Sequence, residues 1–239
     1  MLERVVLKQI IKSKEPISLT KYRANIPKKD LKTLKKYESS PKNVLDDLRK
    51  QLLEEQGYIC CYCMSRIDYP YTKIEHLKPR SVYREKQLDY SNLFIACCGK
   101  KIDKELFYDC DTPKKKYSKT ELYCDTKKGK EELKHINLLT KIQDNIKYRK
   151  NGLIFSDNIN IDKEINEVLN LNYEVLTTNR EDALNQLFIE LNKNNWSIPT
   201  LKLTLKKYQN KNSKGKYRPY CQMIVYFLTK KLKLKGELK

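Results

Sequence analysis

Cysteines punctuate this chain at intervals that few folds can satisfy. Cys60 and Cys63 form a C-x-x-C, and Cys97, Cys98, Cys110 and Cys124 follow downstream. Between the first pair and Cys97 lies His76, one of only two histidines in the sequence. Two thiolates spaced by two residues on a tight turn can grip one tetrahedral zinc ion at about 2.3 Å each. A closed site needs two more ligands. Cys97 and Cys124 are the expected ones, with Cys98 and Cys110 in reserve, so the third ligand stays open between Cys97 and Cys98. Zinc held this way would clamp the two ends of the segment that contains His76 and link metal binding to folding. A redox C-x-x-C would open a helix after a strand in a βαβ setting, and no such setting is visible. Cys61 and Cys221 read as small buried hydrophobes.

The composition bounds the rest. The 239 residues suit one domain, or one core with a satellite, and 39% apolar residues suffice for a core. No run of eighteen apolar residues exists, so no membrane span is expected. The start, Met1-Leu2-Glu3-Arg4-Val5-Val6, lacks a signal peptide's apolar stretch and cleavage site. A cytoplasmic chain is expected, and with it reduced cysteines and no disulfides. The net charge of +20 favours an anionic polymer such as nucleic acid. A lysine-rich composition alone would also give a solvated basic surface, and charge does not separate DNA from RNA.

The pattern predicts an α+β chain in three parts. Residues 1–45 form a basic arm broken by Pro16, Pro27 and Pro41, with a short strand from Val5 to Ile11 and a short helix near Asp30–Lys36. This arm is expected either to contact a partner or to pack on the body. Residues 46–135 hold the cysteines. A helix over 41–56 shows Val44, Leu48, Leu52 and Leu53 on one face, with Ser40 to cap it, Pro41 at its first position and Gly57 to end it. Cys60–Cys63 should form a knuckle turn and Lys73–His76 a short strand. Asn92–Cys97 is expected to open a helix, and another should begin near Thr126. Residues 98–122 read as an insertion, where Phe107, Tyr108, Tyr117 and Tyr123 could stack on unpaired bases or simply pack. Residues 136–239 read as helical: an apolar face from Ile161 to Leu171, a second from Arg180 to Leu191, and a last helix from Pro219 to Leu234.

Phosphodiester hydrolysis requires a base to activate water and a divalent metal to neutralise developing charge. His76 is the candidate base near neutral pH, and Glu75 is a hard oxygen ligand suited to Mg²⁺ or Mn²⁺. Neighbours on a strand point to opposite sides, so both can serve one site only where the chain departs from regular strand; Pro79 fits such a departure. Taken singly, a Glu-His pair is most often a surface ion pair, Asn92 a turn residue and Lys128 a solvated lysine. Their order, bracketed by cysteines, is what gives them weight. His135 lies outside the pattern and reads as structural or surface.

The ordered set Cys60-x-x-Cys63, Glu75-His76-x-x-Pro79, Asn92-Leu93, Cys97 and Cys124-Asp125-x-x-Lys128 resembles the zinc-bearing branch of the HNH endonucleases. Asp125 departs from it, standing where that family usually has Asn or His. Four local features are similar to the HNH proteins of retron and Septu anti-phage systems. They are Glu55-Gln56-Gly57 running into Cys60-x-Tyr62-Cys63, Ile74-Glu75-His76-x-x-Pro79-Arg80-Ser81, Asp89-Tyr90-Ser91-Asn92-Leu93, and Gly152 with Leu169-Asn170-Leu171-Asn172 before Arg180. That family usually has His where this chain has Tyr123. The resemblance covers roughly residues 45–190. It implies a ββα-metal HNH core stabilised by structural zinc and embedded in a mainly helical chain. It also implies a catalytic Mg²⁺ or Mn²⁺, phosphodiester cleavage of DNA or RNA in anti-phage defence, and an ATPase subunit as partner. Residue by residue, it implies His76 as general base and Glu75 and Asp125 as divalent-metal ligands. Asn92 would orient the His76 loop and touch the metal, Lys128 would pair with phosphate or a site carboxylate, and Arg80 would hold a backbone phosphate. A non-catalytic zinc-ribbon module that binds nucleic acid or protein is the alternative.

Overall fold

The computed structural model describes residues 8–33, 39–100, 110 and 117–238. Its helices are α1 (Ile17–Ala24), α2 (Lys28–Thr33), α3 (Lys42–Glu55), α4 (Cys124–Lys128), α5 (Ile159–Lys163), α6 (Glu174–Asn192), α7 (Ile198–Gln209) and α8 (Cys221–Leu234). Two small antiparallel hairpins pair β1 (Thr72–His76) with β2 (Leu93–Cys97), and β3 (Lys147–Tyr148) with β4 (Ile154–Phe155). The chain is therefore mixed, with small sheets set among helices.

The first hairpin carries the region of interest. Its register runs from Thr72 opposite Cys97 to His76 opposite Leu93. Residues 93–97 thus form a strand, correcting the expected helix. Leu93-Phe94-Ile95-Ala96-Cys97 is buried at every position, with α3 and α4 packed against it. A five-residue apolar run buried all round has no period to distinguish strand from helix. Helix α4 starts at Cys124, two residues ahead of the expectation, and lasts five residues.

Helix α3 presents Val44, Leu48, Leu52 and Leu53 to the core. Pro41, with ψ at 144°, precedes its first turn and no side chain caps it, so neither Ser40 nor Pro41 takes the expected place. Its end is a Schellman turn: Tyr58 N–H bonds to Leu53 O at 2.9 Å and Gly57 N–H to Glu54 O at 3.2 Å. Gly57 sits at φ +62°, and a Cβ there would lie 2.4 Å from the Tyr217 ring. This position therefore needs glycine on two counts.

The N-terminal segment is bonded to the body. Residues 8–16 contain no strand; Ile10 N–H instead donates to Leu138 O at 2.8 Å. Residues 1–7, which include the start of the expected strand, lie outside the described residues. Lys12 Nζ reaches Glu55 Oε1 at 2.6 Å and Leu93 O at 2.8 Å, and lies 3.9 Å from the Tyr90 ring centroid. Helix α1, absent from the sequence expectation because its apolar pattern is weak, packs on α3 and buries Leu19 completely.

In the C-terminal half, Gly152 lies in the β3–β4 turn. Arg180 on α6 is 1% exposed. Its Nε donates to Gly152 O at 2.6 Å and its Nη2 to Leu171 O at 2.7 Å. Asn170 donates to Leu122 O and Thr120 O, while Leu169 O accepts from Cys124 N–H at 2.8 Å. The Leu169-Asn170-Leu171-Asn172 stretch therefore holds the segment that delivers Cys124. Helix α7, the second unexpected helix, packs on α8.

Leu19→Ala tests whether residues 17–24 belong to the core. A fully buried leucine truncated to alanine typically costs about 2–5 kcal/mol. Denaturant unfolding of the full chain should show a loss in that range; a loss under about 0.5 kcal/mol would make α1 a dispensable appendage.

Candidate metal centre and buried acid cluster

The four sulfurs come from three separate pieces of chain. Cys60 and Cys63 sit on a knuckle closed by an Ile59–Arg66 bridge, with Cys60 N–H bonded to Ser65 O and Met64 N–H to Cys60 O. Cys97 ends β2 and Cys124 opens α4. All four are buried, and their sulfurs lie within 4.8 Å of one another. The Cys60–Cys124 and Cys63–Cys97 separations are both 3.9 Å. A tetrahedron with metal–sulfur bonds of about 2.3 Å has edges of about 3.8 Å, so the cluster has the size and donor set that a tetrahedral ion takes. Met64 and Cys124 flank it at φ +59° and +53°. Left-handed backbone costs a non-glycine residue about 1 kcal/mol, and here surrounding bonds, including Leu169 O on Cys124 N–H, hold it in place.

Cys97 is thus the third sulfur. Cys98 and Cys110, the two reserves, are joined to each other in a disulfide, which corrects the expectation that none would form. Successive residues at a strand's end point to opposite sides, so with Cys97 facing the cluster Cys98 faces away. Cys61 and Cys221 are free and buried. Among the aromatics near this segment, Tyr123 is packed against Tyr173 with ring centroids 5.5 Å apart, and its hydroxyl donates to Lys100 O. Phe107 and Tyr108 lie outside the described residues.

Beside the cysteines sits a buried set of charges. Glu75 on β1 and Lys128 on α4 are 2% and 1% exposed and pair at 2.8 Å. Tyr62, within the knuckle, donates to Glu75 Oε1 at 2.7 Å. Asp125 lies beside Glu75, and Lys73 lies 3.4 Å from Asp125 Oδ2. Burial, then the Asp125 charge, pushes Glu75 well above the usual carboxylate range. Burial works upward on Asp125 too. The neighbouring Glu75 carboxyl, Lys73 and Lys128 outweigh it and hold Asp125 low. Lys128, for which phosphate or a carboxylate was the expected partner, is closed off from solvent and meets the carboxylate.

His76 takes the other side of the strand. Its ring is 7% exposed, and Nε2 lies 3.0 Å from Gln87 O. A carbonyl only accepts, so Nε2 carries the hydrogen and the lone pair resides on Nδ1. Lys128 Nζ touches His76 only through the backbone carbonyl, at 3.0 Å. Among the described residues the four cysteines are the group of three or more metal-capable side chains; Glu75, Asp125 and His76 do not converge into a second. Asn92 spends its amide on the loop between the strands: Oδ1 accepts from Lys78 N–H at 2.7 Å, and Nδ2 donates to Lys78 O and Lys86 O. It braces the loop that carries Gln87 and does not point at a metal. Arg80 is exposed on that loop. His135 is exposed on the surface, and its backbone N–H donates to Glu164.

Four contributors escaped the sequence reading. Tyr62 was legible only as part of the C-x-Tyr-C string, without a role. Gln87 and Lys73 carried no signal, because one acts through a backbone carbonyl and the other through a fold-dependent ion pair. Gln56 belongs with them as a brace: its amide donates to Ile59 O and Ile95 O and accepts from Ile95 N–H, tying knuckle to β2.

Burial lowers the His76 pKa from 6.5 to about 4, the Gln87 carbonyl opposing this only in part. The unfolded chain therefore binds the proton first as pH falls. Stability contributed by the neutral ring is present above about pH 6.5 and declines as pH drops toward 4. Denaturant midpoints measured between those values should fall in the wild type and fall less in His76→Gln; equal slopes would show that the ring is not buried neutral.

Among known proteins, no family model matches this chain and no curated protein matches it.

Proposed function

We propose that this chain is an HNH endonuclease: a ββα-metal core, clamped by structural zinc, that hydrolyses phosphodiester bonds of nucleic acid with Mg²⁺ or Mn²⁺. The observation that carries this reading is the neighbouring pair Glu75 and Asp125, one on β1 and one on α4, beside a four-cysteine cluster that ties α4 to β2, the strand paired with β1. A buried carboxyl set beside a second, partly buried one forms a place where a cation would relieve repulsion. Mg²⁺ is commonly held by one or two carboxylates, with waters and substrate phosphate completing its shell, so this donor pair fits. When bound, the ion supplies charge neutralisation at the phosphoryl oxygens.

The chain's own residues divide the remaining work. His76, neutral above about pH 4 and fixed in one tautomer by Gln87 O, takes a proton from water at Nδ1. Asn92 holds the loop that supplies Gln87 O. Lys128 is the internal counter-charge of Glu75, and Arg80 reaches the backbone of the substrate from the exposed loop. DNA is the favoured substrate, with RNA the other. On the strength of the resemblance to retron and Septu proteins, the chain acts in anti-phage defence with an ATPase subunit, in the cytoplasm. No helix among the described residues is long and apolar enough to cross a membrane.

A second reading, a zinc-ribbon module that binds nucleic acid or protein without cleaving, draws on one observation. Glu75, His76 and Lys128 are nearly closed to solvent. It expects zinc and binding, and no effect of His76 on any cleavage.

Two measurements test these readings. Elemental analysis of chain purified without chelator should find about one zinc, lost in Cys60→Ser or Cys124→Ser together with folding yield. A protein that folds without zinc would remove the clamp. Plasmid or total RNA should be cut by the chain assembled with its ATPase, with Mg²⁺ or Mn²⁺ added. His76→Ala should lower that rate about 10²–10⁴-fold. Glu75→Ala and Asp125→Ala should each alter its dependence on the divalent ion. A His76→Ala rate within about tenfold of wild type would sink the base assignment.

A further inference from the structure

The positive charge is not spread evenly. Residues 191–236 contain neither Asp nor Glu, where the chain's overall frequency of 30 in 239 would place about six. Of the 50 Lys and Arg residues, 13 lie in 191–239, against one acidic residue, Glu237. A lysine-rich composition acts on the whole chain and would not clear acids from one segment. The segment folds as α7, the 210–220 loop and α8, and α7 and α8 pack on each other. Their buried faces are apolar, with Leu201, Leu205, Ile224 and Leu228 among them, while the basic residues stand outward. Lys202 pairs with Glu237, and Lys216 lies 4.0 Å from Asp68. Lys206, Lys207, Lys214 and Lys230 are exposed, with no carboxylate partner among the described residues.

This surface is fixed and not a loose tail. Tyr217 N–H bonds to Gly57 O at 3.0 Å and Tyr220 N–H to Met64 O at 3.0 Å, so the loop is pinned on both sides of the Cys60–Cys63 knuckle. Lys216 lies 4.4 Å from the Tyr58 ring and Arg218 5.4 Å from Tyr208. Lys8, over the Tyr217 ring at 4.3 Å, extends the patch across the N-terminal segment. Holding like charges at helical spacings such as 202/206 and 231/235 is mildly destabilising, about 0.2–0.5 kcal/mol per pair, and an ordinary solvated face mixes signs. A strong excess of one sign on a rigid element is what a polyanion requires.

We infer that α7, the 210–220 loop and α8 form the surface on which this chain holds the phosphate backbone of nucleic acid, by charge and without reading bases. The inference rests on the nuclease reading only for its choice of polyanion. Each phosphate that a lysine neutralises releases counterions, so affinity falls with salt by a slope of about 0.9 per phosphate on duplex DNA and about 0.7 on a single strand.

The test is fluorescence anisotropy of the full chain with a labelled 30-base-pair DNA duplex and with single-stranded RNA of equal length, without added Mg²⁺ or Mn²⁺. Lys206, Lys207, Lys214 and Lys230, all changed to Gln, should weaken binding at least about tenfold at 0.1 M salt and flatten the salt slope in proportion to the phosphates no longer neutralised. Lys42, Lys50, Lys130 and Lys150, exposed elsewhere and changed to Gln, should leave both unchanged. The size of the slope change shows on which polymer more phosphates are neutralised. Unchanged affinity in the folded fourfold variant, or equal weakening by the control set, overturns the inference. So does a wild type that binds neither polymer; binding of polyglutamate instead would reassign the surface to an acidic protein. If the fourfold variant does not fold, the pairs Lys206/Lys207 and Lys214/Lys230 carry the same test with half the slope change. Because no cleavage is involved, binding that depends on these lysines stands even where His76→Ala shows no nuclease to lose.

Discussion

Four thiols from three distant pieces of chain converge on a point, and the geometry of the remaining residues follows from that convergence. Cys60 and Cys63 bring the knuckle, Cys97 the end of β2 and Cys124 the start of α4. Fixing Cys97 sets the register of β2, and β1 pairs with it so that Glu75 lies opposite Phe94. Fixing Cys124 sets α4, whose next residue, Asp125, meets Glu75, and whose last turn delivers Lys128. Structural zinc binding in small domains is worth about 10–16 kcal/mol, comparable to the stability of a whole domain. A hairpin of two five-residue strands and a helix of five residues could not hold themselves in place, since short isolated elements are marginal in water.

The remainder of the chain steadies this convergence from outside. Leu169 O and Asn170 anchor the Cys124 segment, and Arg180 anchors the Leu169–Asn172 stretch in turn. Gly152 is required at that anchor: a Cβ there would lie 2.0 Å from Thr177 O. From the other side, Gln56 joins the knuckle to β2, and Lys12 bridges Glu55 to Leu93 O. The helical C-terminal half and the N-terminal segment are thus structural supports, and the C-terminal helices also bear much of the unbalanced charge.

Burying Lys128 beside Glu75 and Asp125 is electrostatically expensive, because taking ionisable groups out of water can cost as much as their attraction returns. Tyr62 and the His76 carbonyl supply the further hydrogen bonds such a pair needs. A pair retained at that cost, next to a second carboxyl, is better suited to handling charge than to adding stability. The imidazole of His76 bonds instead to Gln87 O, on the loop that Asn92 braces.

Much of this was legible in the residues alone. The C-x-x-C spacing pointed to Cys60 and Cys63 as a metal-binding pair, with Cys97 and Cys124 the expected partners and the choice between Cys97 and Cys98 open. Strongly periodic helices such as α3 and α6 could be read from their apolar faces. What the sequence could not decide were matters of direction and pairing. Residues 93–97 form an apolar run without period, and became a strand because β1 and the knuckle lie alongside. The helix α1 escaped notice because its apolar pattern is weak, and α7 escaped it although Leu201 and Leu205 mark a buried face. Cys98 and Cys110 were assigned to a reserve for metal, and close on each other because Cys98 faces away from the cluster. Local chemistry thus determined which residue types meet at this centre. Which side of the strand His76 faces, whom Lys128 neutralises and where Asn92 spends its amide were decided only by the tertiary fold, because each depends on partners distant in sequence that folding alone brings alongside.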